Sequence, residues 1–169
     1  TKNLLDASVE SGTERFVLIS TDKAVDPVSV YGVSKMLCEK LVLQTAENLQ
    51  KKNPGIEKKA AYMFVRFGNV LGSRGSILPL FAEQLKTGGP LTITHPDMKR
   101  FFMTIPEACS LVLKAGGVGM NATPYLLDMG EPIKIEEIAR QFIRFSGLEP
   151  DKDVQIAYIG LRPGERLEE

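Results

Sequence analysis

The chain has 169 residues, 43% hydrophobic and 25% charged, the balance of one soluble globular domain or parts of two. Lys plus Arg and Asp plus Glu number 21 each, so no net field draws the chain to nucleic acid or to an anionic membrane surface. No apolar run reaches the roughly 18 residues of a spanning helix. Cys38 and Cys109 both lie in helical patterns, which argues against a disulfide framework and for a reducing, cytoplasmic setting.

In chain order, Leu4, Leu5, Ser8 and Val9 recur at helical spacing, and Gly12 stops that helix. The run from Phe16 to Ser20 reads as a strand covered on both faces. Asp26-Pro27 breaks the chain, and a long helix follows over 31–49, closed by turn chemistry in Lys51-Lys52-Asn53-Pro54-Gly55. Residues 61–67 read as a second buried strand, which makes a βαβ unit. Gly68, Gly72 and Gly75 then punctuate a loop, and Ser76 is placed to cap a helix running to Lys86. A short strand over 91–94 follows, then a capping-box pattern at Thr104 and Glu107 that opens a helix. A strand over 125–129 comes next. The last helix carries Ile135, Ile138, Ala139, Phe142 and Ile143 on one face and ends at Gly147. Residues 154–159 read as a final strand.

The pattern predicts an α/β fold: a sheet-type half up to about Val70, then a mixed α+β half. The strand from Phe16 needs neighbours on both edges, yet the chain before it supplies one short helix. No Gly-x-Gly-x-x-Gly turn, the usual dinucleotide cradle, occurs in the sequence. Thr1 is not an initiating Met, and the chain reads as the C-terminal piece of a larger nucleotide-binding protein.

The richest chemistry lies in Tyr31-Gly-Val-Ser-Lys35, which begins eight residues after the end of Ser20-Thr21-Asp22-Lys23. Tyr31 and Lys35 are one helical turn apart, and an ammonium facing a phenol favours phenolate, a base for a sugar or alcohol hydroxyl. The Ser20–Lys23 segment ends an apolar run, where open α/β sheets place their ligands. A carboxylate beside an ammonium, as in Asp22-Lys23, can supply both a base and an acid. His95 stands alone before Pro96 and reads as structural or surface, and the lack of clustered thiols and imidazoles argues against a metal site. Phe101, Phe102 and Met103 read as core rather than a base-stacking platform.

Further segments run in order: Arg66 to Ser73, Gly75 to Phe81, Thr94-His95-Pro96, Arg100 to Ile105, and Leu161 to Glu165. Together with the first two they resemble the polysaccharide-biosynthesis (CapD-like) branch of the extended short-chain dehydrogenase/reductases over nearly the whole chain. That branch is known for nucleotide-sugar 4,6-dehydratases acting on UDP-N-acetylglucosamine. The resemblance implies the C-terminal half of a Rossmann-like parallel sheet over residues 1–74 and a smaller mixed α+β substrate-binding region over 75–169, with NAD or NADP as cofactor, completed by residues upstream, a UDP-sugar as partner, and a homo-oligomer. It implies residence in the cytoplasm, at the cytoplasmic face of the inner membrane where the parent is anchored. Catalytic roles fall on Thr21 (a hydrogen bond to the sugar 4-oxygen), Tyr31 (base at the 4-OH), Lys35 (tuning Tyr31 and holding the nicotinamide ribose) and Asp22 with Lys23 (β-elimination across C5 and C6). Asn69, Ser76, Arg100, Arg162 and Glu165 are implied to bind substrate: the sugar or its phosphate at Asn69 and Ser76, the diphosphate at the two arginines, the ribose at Glu165. Long membrane-anchored members of the branch carry Met where this chain has Tyr31. The alternatives are a C4 epimerase of the same family and a non-catalytic nucleotide-sugar-binding fragment.

Overall fold

The computed structural model describes residues 1–52 and 60–169. Helix α1 (Lys2–Glu10) leads into strand β1 (Arg15–Thr21), a single 3-10 turn at Asp22–Ala24, and helix α2 (Val30–Lys52). Strands β2 (Ala61–Phe67) and β3 (Asn69–Val70), helix α3 (Ile77–Lys86) and strands β4 (Leu91–Ile93), β5 (Lys99–Arg100) and β6 (Phe102–Met103) follow. Helix α4 (Ile105–Val118), strands β7 (Pro124–Leu126) and β8 (Ile133–Lys134), helix α5 (Ile135–Phe145) and strand β9 (Ile156–Tyr158) complete the chain. The expected turn chemistry at Asn53, Pro54 and Gly55 lies outside the described residues. Gly12, in the left-handed region at φ 69°, follows the C-cap of α1 as the helix stop requires.

The chain divides into two compact units, residues 1–67 with 106–128, and 68–105 with 129–169. A single cut after residue 74 does not describe this division. The reason is topological: β7 pairs with β2, so the segment from α4 to β7 returns to the first sheet.

The first unit is a parallel sheet in the order β1-β2-β7. β2 is central and its first five residues are all buried. Alternation along the strand sorts them. Tyr62 and Phe64 pack with Leu5, Val42 and Ala46 from α1 and α2, whereas Ala61, Met63 and Val65 pack with Ala115 from α4. Each large side chain so buried contributes about 1.5–3 kcal/mol. β7 is shorter than the expected 125–129 strand because its ladder meets only Phe64, Val65 and Arg66 of β2.

The second unit is built from two-residue and three-residue strands: β3 with β6 and β4 with β9 in parallel, β5 with β8 antiparallel. Its core joins Phe81 of α3 and Leu91 and Ile93 of β4 to Ile135, Ala139 and Ile143 of α5, with Met98 and Val154. The α5 residues are the expected apolar stripe. Met103 is buried and Phe102 packs on this core, in line with their reading as core side chains.

Candidate active site

In the first unit the site residues gather where β1 ends. Thr21 closes the strand and caps the 3-10 turn, its Oγ1 accepting from the Lys23 backbone N–H at 3.4 Å. The same hydroxyl donates to Asp22 Oδ1 at 2.9 Å. That oxygen also accepts from the Lys23 N–H at 2.8 Å and from Lys23 Nζ at 3.0 Å. Three donors thus converge on one carboxylate oxygen, while Asp22 Oδ2 is buried with no hydrogen-bond partner among the described residues. The hydrogen bonds of this carboxylate thus fall on one oxygen.

Helix α2 begins against this knot. Ser29 Oγ accepts from the Gly32 N–H at 3.1 Å, an N-terminal cap that the sequence reading did not assign. A Cβ on Gly32 would fall 2.3 Å from the Lys23 carbonyl oxygen and 2.9 Å from Pro27 Cβ. Only glycine lets the helix start lie so close to the turn. Tyr31 is 53% exposed, so its phenol is open to solvent. Lys35 Nζ donates to the Ile19 carbonyl oxygen at 3.0 Å. Tyr31 and Lys35 do share a helical stripe, but no hydrogen bond joins them among the described residues. The ammonium is anchored on β1 instead, and two of its three donors remain.

Behind the knot lies a cluster absent from the sequence-based site. Glu39 is 4% exposed, although it is a carboxylate. Its Oε1 accepts from Ser20 Oγ at 2.6 Å and Arg66 Nε at 3.0 Å, and its Oε2 accepts from Arg66 Nη2 at 2.7 Å. The Glu39 hydrogen bonds raise the Arg66 guanidinium above its ordinary range, against the opposing effect of burial. The available signal was positional: Glu39 continues the Tyr31, Lys35 spacing onto the face that buries Val42 and Ala46.

In the second unit, Arg100 is buried and faces inward. Nη1 donates to the carbonyl oxygens of Lys99 at 2.7 Å and Leu167 at 3.3 Å, and Nη2 to that of Arg166 at 2.9 Å. The carboxylates of Glu165 and Glu169 lie 3.7 and 3.6 Å from the guanidinium. Glu165 also accepts from Thr94 Oγ1 at 3.2 Å and from the Arg162 backbone N–H at 3.0 Å. Arg100, Glu165 and the Arg162 backbone are therefore brought together as an internal clamp. The Arg162 side chain is exposed, and its guanidinium has no partner among the described residues. Ser76 stands at the N-cap of α3, yet its hydroxyl makes no capping bond; Oγ is buried without a partner among the described residues. Asn69 lies in β3, its N–H donating to the Phe101 carbonyl at 2.9 Å. No helix is long and apolar enough to cross a membrane among the described residues.

The fold defines a parallel α/β protein of the Rossmann type, as the sequence pattern and the resemblance anticipate. Residues 1–169 match the family described as polysaccharide biosynthesis protein, and the chain belongs to that family. It is 47% identical over 169 residues to the capsular polysaccharide biosynthesis protein CapD of Staphylococcus aureus, covering 100% of this chain and 27% of that protein. It is 35% identical over 165 residues to a UDP-glucose 4-epimerase of Rickettsia massiliae, covering 98% of this chain and 45% of that protein. Among solved structures, Pen from Bacillus thuringiensis superposes with a TM-score of 0.82 at 28% identity, over 98% of this chain and 49% of that one. A dTDP-glucose 4,6-dehydratase from Bacillus anthracis in complex with NAD shares the fold, with a TM-score of 0.78 at 18% identity over 95% of this chain and 54% of that one. The chain thus spans about a quarter to a half of the length of these relatives.

Proposed function

We propose that the chain is the catalytic and substrate-binding portion of an NAD(P)-dependent nucleotide-sugar 4,6-dehydratase of the UDP-N-acetylglucosamine class, serving surface polysaccharide synthesis. The observation that carries this reading is the Thr21-Asp22-Lys23 knot at the end of β1, with the Tyr31-to-Lys35 turn of α2 pressed against it. Lys35 fits a nicotinamide ribose, since its ammonium keeps donors beyond the one given to Ile19 and sits at the end of a parallel strand, where such sheets bind ligands. The glycine cradle for the pyrophosphate comes from sequence outside these residues. NAD or NADP, when bound, supplies hydride acceptance at C4 and its return at C6.

The chain's own groups do the proton work. Tyr31 takes the 4-OH proton, and Thr21 turns its hydroxyl from Asp22 to the sugar 4-oxygen. Asp22 and Lys23 divide the elimination, one removing the C5 proton and the other protonating the departing 6-hydroxyl, with Oδ2 as the free acid–base atom of Asp22. In the second region the exposed Arg162 guanidinium meets the diphosphate, and Ser76 Oγ with the α3 amides meets an anionic oxygen. Asn69 contacts the sugar or its phosphate. Arg100 and Glu165 act on the diphosphate and ribose by shaping the segment that carries Arg162.

A C4 epimerase is the second reading, supported by the 35% identity to the Rickettsia enzyme. Asp22 and Lys23 favour dehydration, because epimerisation has no leaving group to protonate. Incubating the full-length protein with UDP-N-acetylglucosamine and analysing the product by NMR separates the two. A 4-keto-6-deoxy sugar supports the dehydratase, and a C4 epimer overturns it.

A further inference from the structure

Glu39 is a buried carboxylate for which the proposed chemistry has no use. Its three hydrogen bonds come from two strands: one from Ser20 of β1 and two from Arg66 of β2. Ser20 and Arg66 are direct partners across the parallel ladder, so both face α2 from adjacent strands. A one-residue slip of either strand would turn one of them to the other face. Arg66 is further steadied over the Phe64 ring, its guanidinium carbon 5.3 Å from the centroid.

Along α2, Tyr31, Lys35 and Glu39 follow at four-residue intervals and form one stripe. Two of the three attach to consecutive residues of β1: Lys35 to the Ile19 carbonyl and Glu39 to the Ser20 hydroxyl. The next residues of that strand end are Thr21, Asp22 and Lys23. An apolar contact would tolerate sliding along the helix axis or a small roll. A carboxylate taken by a planar guanidinium fork and a hydroxyl tolerates neither. Buried ion pairs add little net stability over apolar replacements, so their value here lies in geometry.

We propose that Glu39 is a positioning residue: by joining Ser20 and Arg66 it fixes the roll and axial setting of α2, and so where Tyr31 and Lys35 stand over Thr21, Asp22 and Lys23. The proposal rests on the dehydratase reading for its kinetic arm alone.

The test uses the full-length protein with Glu39→Gln and with the double variant Glu39→Gln/Arg66→Met, which also removes the stranded guanidinium. Melting temperature, hydrogen exchange at amides 31–36, and kcat and KM for UDP-N-acetylglucosamine are measured for each. We expect kcat to fall about 10²-fold in Glu39→Gln with KM within about twofold, the size of effect a small misplacement produces. Exchange at 31–36 should rise about tenfold or more, in the range of opening free energies that local contacts control. The double variant should regain melting temperature while kcat and protection stay low. Recovery of kcat and protection in step with melting temperature would overturn the proposal, as would wild-type values of both in Glu39→Gln. If the wild-type protein does not convert the sugar, the dehydratase reading fails and the exchange arm alone decides: lost protection in both variants supports positioning, and retained protection refutes it.

Discussion

Gly32 and the Lys23 carbonyl oxygen approach so closely that a Cβ on the glycine would stand 2.3 Å from that oxygen. Real Cβ atoms do not sit there, so any other residue must push α2 away from the 3-10 turn. The contact joins the two short segments that carry all the proposed acid–base groups.

Gly32→Ala is therefore expected to cost about 1–3 kcal/mol of stability, the usual penalty of overpacking, although alanine is the better helix former. Turnover should fall further than stability accounts for, because Tyr31 moves with the helix start. Chemical denaturation beside steady-state kinetics on the full-length protein checks both; a neutral substitution would show that the approach is not required.

Tyr31→Phe removes one hydroxyl from a half-exposed ring, so stability should change by no more than about 0.5 kcal/mol. The rate should nevertheless drop about 10²–10⁴-fold, the range for a single acid–base group. An unaltered kcat would take Tyr31 out of the mechanism.

The two arginines expected at the diphosphate should separate. Arg100 is buried and serves three carbonyls, so Arg100→Ala should destabilise the protein by about 3–5 kcal/mol, as loss of one partner from a buried charged cluster does. Arg162→Ala should leave the melting temperature in place and raise KM for the UDP-sugar about tenfold or more, the effect of one charge-assisted hydrogen bond. A lower melting temperature for Arg162→Ala with unchanged KM would reverse these roles.

Alkaline stability should report on Tyr62. Burial pushes its phenol above the ordinary tyrosine range, and its hydroxyl donates to the Thr13 carbonyl at 3.3 Å. Below the unfolded tyrosine value of about 10, folded and unfolded chains both hold the proton and this group adds no slope. Above it the unfolded chain loses the proton first, so stability falls as pH rises toward the folded value. Melting curves above about pH 10 should steepen downward, and Tyr62→Phe should flatten them. Equal slopes for both proteins would remove Tyr62 as the cause.

What was legible in the sequence follows from length and periodicity. The α5 stripe of Ile135, Ile138, Ala139, Phe142 and Ile143 and the apolar runs of β1 and β2 repeat enough to declare their type. β3, β5, β6 and β8 have two residues each, too few for any period to show. The return of β7 to the first sheet was hidden because strand pairing is a non-local choice that texture along the chain does not record. At the site, Thr21, Asp22 and Lys23 were read as neighbours and are hydrogen-bonded as such. Glu39 escaped because a lone glutamate in a helix reads as solvent-facing. The backbone carbonyls that Arg100 serves lie 1, 66 and 67 residues away, and no motif carries the two distant ones.

The most direct test of the whole account is product analysis by NMR after the full-length protein is incubated with UDP-N-acetylglucosamine and catalytic NAD(P)+. The account predicts a 4-keto-6-deoxy sugar nucleotide formed without net consumption of the cofactor. A C4-epimerised sugar, or unchanged substrate beside an intact and folded protein, would contradict it.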